Sequence, residues 1–138
     1  MKGFESLLSG MDAFERVKGA VAGHATPVLA TGLSAVHKAQ LVVSITGLLQ
    51  MGGLVIVPDE ASAVRICEDI NIMAGAGTAV QYPSREPTFY DVQGVSREYE
   101  HARLAVPGRL RAGDAPIVAA SAQAALQYTM PPSVLSAR

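Results

Sequence analysis

The sequence contains one cysteine, Cys67, which leaves no partner for an intrachain disulfide and no basis for a multi-cysteine metal site. That usage suits a reducing cytoplasm and argues against secretion. Charge is scarce too, at 17% of residues with a net of −1, so the surface as a whole does not attract a polyanion and any DNA contact must be local. No apolar run reaches the roughly 18 residues of a membrane helix, and the apolar stretch within 4–10 is too short for a signal-peptide core. A soluble protein with no membrane partner is the expectation. His24, His37 and His101 lie far apart and share no ligand spacing with carboxylates, so no metal site is expected. Internal repeats and low-complexity tracts are lacking as well.

What is present is an apolar chain of 138 residues, 49% hydrophobic, sized for one compact domain over 1–138. Phe4, Leu7, Leu8, Met11, Phe14, Val17 and Val21 recur at spacings of three and four and predict a leading amphipathic helix. Residues 26–32 form a short apolar run closed by Gly32, the pattern of a buried strand with Pro27 at its start. Residues 35–50 read as a helix ended by Gly52 and Gly53, and 54–57 as a second strand halted by Pro58. Asp59 is placed to cap the next helix, whose Val64, Cys67 and Ile70 should face inward before Gly75 and Gly77 end it.

Residues 78–82 are a third strand candidate, followed by a proline-punctuated stretch over 83–87. A polar-faced helix over 94–111 should turn Val95, Tyr99, Ala102 and Val106 inward and be kinked or broken by Pro107. Residues 116–120 complete four strands, and Ser121 is set to cap a short helix through Gln127. Strands alternating with helices predict a three-layer α/β fold: a short, mostly parallel sheet of about four strands with helices on both faces. The tail over 130–138 stops in mid-pattern, as though the natural chain continues.

One motif carries chemistry. From Gly32 to Ala39 the sequence follows the phosphate-loop spacing, with Gly32 and Lys38 in place. His37 stands where a second glycine lets the backbone approach phosphate, and Ala39 stands where a hydroxyl binds magnesium. The loop therefore reads as a degenerate ATP site, or as an ordinary strand-to-helix turn with a solvated Lys38. Asp59 and Glu60, after an apolar strand, imitate a magnesium-holding acidic pair, but the helix cap accounts for both. Cys67, without a nearby His or Asn pattern, reads as a buried small apolar residue. The charges around Arg85 and Glu86, and from Arg97 to Arg103, read as a solvated loop and helix face or as a surface for a partner or DNA.

Residues 82–86, Asp91, the run 96–104, and the run 117–127 with Pro131 and Pro132 resemble, in order, the N-terminal region of bacterial transcription-repair coupling factors. In that family the region is similar to the first domain of the excinuclease component UvrB, a RecA-like half-domain, with a degraded phosphate loop. The resemblance implies a longer protein that displaces stalled RNA polymerase by ATP-driven translocation and recruits the excinuclease component UvrA. Its motors, which use ATP and magnesium, and most of the UvrA contact would lie outside these residues, as would the polymerase and DNA contacts. The chain also lacks, between Tyr82 and Ser96, the insertion that forms the DNA-clamping hairpin of UvrB.

The expectation is thus a non-catalytic scaffold and recruitment domain in which Gly32, His37, Lys38 and Ala39 bind no cofactor and no residue is catalytic. The alternative is a working ATP-binding domain of a helicase or translocase, with Lys38 on phosphate and Asp59 or Glu60 on magnesium. A third reading is a DNA-contacting module built from Arg85, Arg97, Arg103, Arg109 and Arg111. Self-association through sheet edges is expected if part of the fold is missing.

Overall fold

The computed structural model describes residues 6–85, 97–112, 114, 117–129 and 131, with the backbone alone for 97–100. Five helices and three strands follow in the order α1 Asp12–Ala22, α2 Ala35–Leu49, β1 Gly53–Val57, α3 Glu60–Ala74, β2 Ala79–Tyr82, α4 Arg97–Arg111, β3 Ile117–Ser121 and α5 Ala122–Leu126. The three strands form one parallel sheet with β3 in the middle, Gly53 opposite Ile117 on one side and Ala79 opposite Ile117 on the other.

Local chemistry sets the helix boundaries. Ser34 and Asp59 begin α2 and α3 by accepting the backbone N–H of His37 (3.4 Å) and of Ser62 (2.7 Å). A side-chain cap of this kind contributes about 1 kcal/mol. Ser121 closes β3 and also caps α5, accepting from the N–H of Ala124 at 2.9 Å. After α2 the chain turns through Gln50 in the left-handed region and enters β1 at Gly53, where a Cβ would meet Thr46 Cγ2 at 3.3 Å. Glycine lets the strand leave that close to the helix.

Residues alternate across the sheet, so each face has its own set. Val55, Ile117 and Ala79 belong to the core formed with Ala39 and Val43 of α2 and Ile70 of α3. Leu54, Val118, Ala120 and Tyr82, on the other face, share a cavity of about 440 Å³ with Val106, Pro107 and Leu110 of α4 and Ala125 of α5. Helices thus lie around a short parallel sheet in three layers, as the alternation of elements predicts.

Among the described residues the strands number three, not four. Residues 26–32 form no strand: they run exposed, with a cis peptide between Thr26 and Pro27, and Leu29 is 88% exposed. Apolar composition selects a strand only if a neighbour can take its backbone hydrogen bonds. Among the described residues no backbone hydrogen bond joins 26–32 to the sheet, and Thr26, Pro27, Val28 and Ala30 instead form one wall of an apolar cleft of about 380 Å³ beside the outer side of β1.

Two helices also differ from expectation. The first begins only at Asp12, because Gly10 has φ +89°, outside the helical region, so Leu7 and Met11 stay exposed; Phe4 lies outside the described residues. α4 runs from Arg97 to Arg111 with Pro107 inside it, so the proline does not break the helix. Its inward residues are Arg103 and Val106, with Ala102 exposed. Val95, Pro116 and the side chain of Tyr99 lie outside the described residues. Val64, expected inward on α3, is 39% exposed, while Cys67 is partly buried and Ile70 fully so.

Candidate functional site

In open parallel sheets the carboxyl ends of the strands are where ligands bind, because loops diverge there over converging strands. Here β1 leads through Pro58 and Asp59 to Glu60, β2 leads through Tyr82 and Pro83 to Ser84, and β3 ends at Ser121. Glu60 joins the three ends. Its carboxylate accepts from the Ser121 hydroxyl, from Gln81 Nε2 at 3.0 Å and from the Ser84 backbone N–H at 3.2 Å. Burial works to raise the Glu60 pKa, but these donors together outweigh it and hold the carboxyl below the ordinary range. Asp59 is likewise held low, first by the Ser62 N–H that it caps.

A second knot sits beside it. Arg103, only 4% exposed, donates from Nη1 to the Pro83 carbonyl at 2.6 Å and to Gln127 Oε1 at 3.2 Å, with its guanidinium 4.1 Å from the centre of the Tyr82 ring. Gln127 in turn accepts from the Arg85 N–H (2.7 Å) and donates to the Arg85 carbonyl (3.0 Å). Among the described residues, Arg103 Nη2 and the Tyr82 hydroxyl are buried without a hydrogen-bond partner.

This arrangement ties strand ends together. The Ser121 hydroxyl is buried, donates to Glu60 and accepts from the Ala124 N–H. No group of three or more His, Cys, Asp or Glu residues among those described could hold a metal ion. Cys67 is partly buried; burial, with Glu68 nearby, pushes its thiol pKa up, which makes it a poor nucleophile.

The sequence-predicted loop lies on another element. Gly32 has φ +77°, Ser34 caps α2, and His37 and Lys38 are exposed on its first turn. Ala39 is 0% exposed and belongs to the core with Val43, Ile70, Ala79 and Ile117. The position that would carry a magnesium-binding hydroxyl is therefore part of the packed interior.

Arg103 is buried, and Arg109 pairs with Asp114 (2.6 Å) while donating to the Gly77 carbonyl (3.1 Å). Arg85 is exposed and its backbone is held by Gln127; Glu86 and the Arg97 side chain lie outside the described residues. No described helix is long and apolar enough to cross a membrane.

Sequence reading missed the linkage of Glu60, Ser121 and Gln81, and the role of Gln127. Polar residues at the ends of two apolar strands, Gln81 and Ser121, were the available signal. Comparison with protein-family models, with curated proteins and with solved structures finds no match.

Proposed function

We propose that the chain is a non-catalytic scaffold and recruitment domain of a transcription-coupled excision-repair factor, acting beside the module that binds the excinuclease component UvrA. One observation carries the non-catalytic part: Ala39 lies inside the core at 0% exposure, so the loop offers no oxygen for magnesium where the motif requires one. The acids that could substitute are engaged, Asp59 with Ser62 and Glu60 with Ser121, Gln81 and Ser84. The repair context rests on the sequence resemblance over 82–86, 96–104 and 117–127, and a three-layer α/β fold is compatible with it.

Calorimetric titration of magnesium-ATP into the protein tests the first part. No heat of binding is expected; saturable binding that Lys38→Ala abolishes would overturn it. For the second part, disrupting the gene should slow removal of ultraviolet damage from transcribed strands alone. Equal repair of both strands before and after disruption would remove the repair assignment.

A further inference from the structure

One cation of this fold is buried without an anion. Arg103 is 4% exposed, and among the described residues no carboxylate pairs with it. The groups that hold it are neutral: the Pro83 carbonyl, the Gln127 side-chain amide and the Tyr82 ring. Both hydrogen bonds use Nη1, while Nη2 is buried with no partner. Taking a guanidinium out of water without a counter-ion is costly, and an unmet N–H adds to the cost. The Tyr82 hydroxyl is buried and unpartnered as well. The guanidinium lies 4.1 Å from the centre of the ring that carries this hydroxyl, within reach of one small ligand. Two donors so placed select an acceptor, and the charge selects an anion.

The same residues stand at an apolar cavity. Tyr82 and Gln127, which both contact Arg103, line the cavity of about 440 Å³ whose apolar walls include Leu54 of β1, Val118 of β3, and Val106 and Leu110 of α4. That volume falls in the range of sites for small ligands. At roughly 30 Å³ for each water-sized group it takes about ten non-hydrogen atoms with room to spare. Leu110 is 49% exposed, and Ala125 and Thr129, also in its lining, are exposed, so a ligand can enter from solvent.

The geometry points to a small organic acid as the ligand of this cavity, its carboxylate received by Arg103 and the Tyr82 hydroxyl and its apolar body, of about eight carbons, lying along Leu54, Val106 and Val118. A carboxylate offers two oxygens to the two donors and also supplies the missing charge. Water would serve the donors but leave the guanidinium without a counter-ion. Inorganic phosphate brings charge but nothing for the apolar walls. The site is separate from the degenerate phosphate loop, which lies on α2, and the inference is independent of the repair reading.

Calorimetric titration of octanoate into the full chain should give saturable binding at one site. Acetate, which lacks the apolar body, 1-octanol, which lacks the charge, and inorganic phosphate should each bind at least about tenfold more weakly. Arg103 is tied into the fold, so Tyr82→Phe is the cleaner variant. It should weaken octanoate binding about tenfold, yet leave the ligand-free melting temperature unchanged or higher, because the hydroxyl has no partner to lose. Ala125→Leu, at an exposed position of the wall, should block entry and abolish binding. Methyl resonances of Leu54, Val106, Leu110 and Val118 should shift on titration. No saturation by about 10 mM octanoate, or 1-octanol binding as tightly as octanoate, would overturn the proposal. Shifts centred on Val17 and Val28 of the other cleft would overturn it too, as would a Tyr82→Phe protein that binds normally or melts lower.

Discussion

Asn71 binds both backbone polar groups of Ala79, as a neighbouring strand would, and so fastens α3 to the outer edge of β2. Replacing Asn71 with Ala leaves a partly buried N–H and carbonyl unpaired, at a cost of about 1–3 kcal/mol. Asn71→Asp keeps an acceptor for the N–H but sets a carboxylate against the Ala79 carbonyl, and should be at least as damaging. Denaturant unfolding of the two variants measures this; midpoints equal to that of the natural protein would show the clamp to be idle.

Glu60 makes stability depend on acid. Its carboxyl titrates lower in the fold than in the unfolded chain, where about 4.3 is usual, so the folded state binds the proton less readily. The stabilisation is complete above the unfolded value and is lost as pH falls through the folded one. The melting temperature of Glu60→Gln should therefore lie below that of the natural protein at pH 7, with the gap narrowing below about pH 4. A gap constant across that range would contradict the linkage.

Ala39→Thr, the change that restores the motif, should fail for a packing reason. Two extra heavy atoms, one of them a hydroxyl oxygen, enter a site that is fully buried beside Val43 and Ile70. Overpacking of this kind costs about 1–3 kcal/mol. His37→Gly, at an exposed position in the first turn, should cost no more than about 1 kcal/mol. Thermal melts of the two single variants separate these effects, and a fully stable Ala39→Thr protein would show room at that position.

Arg103 should resist even conservative exchange. Its planar head lies over Tyr82 while one nitrogen serves both Pro83 and Gln127, and a lysine ammonium cannot reproduce the stacked fork. Arg103→Ala should lose about 2–3 kcal/mol and Arg103→Lys should recover only part of it. The readout is urea unfolding; full recovery by lysine would mean that charge alone matters.

Much of the architecture was legible. Alternating apolar strands and helices predicted a parallel three-layer arrangement, and Asp59 and Ser121 were identifiable as caps from residue type and position. The strand at 26–32 was misread because composition reports burial and says nothing of which neighbour takes the hydrogen bonds. On α4 Val106 faces inward as expected, but hydropathy also assigns Ala102 to the interior, whereas Arg103 goes in, with its guanidinium held by a carbonyl, an amide oxygen and an aromatic face. Of the Glu60 knot only the polar residues at two strand ends, Gln81 and Ser121, were legible: its members come from three separate strand ends, and only the register of β3 brings Ser121 to Glu60.

The strand at the centre of the sheet is also the last of the three along the chain, and among the described residues neither edge strand has a sheet partner except β3. During synthesis the earlier strands must wait, unpaired, until Ser121 has left the ribosome. The sheet then forms in one step over long loops, which slows folding and leaves the apolar β1 segment exposed to other nascent chains in the interval.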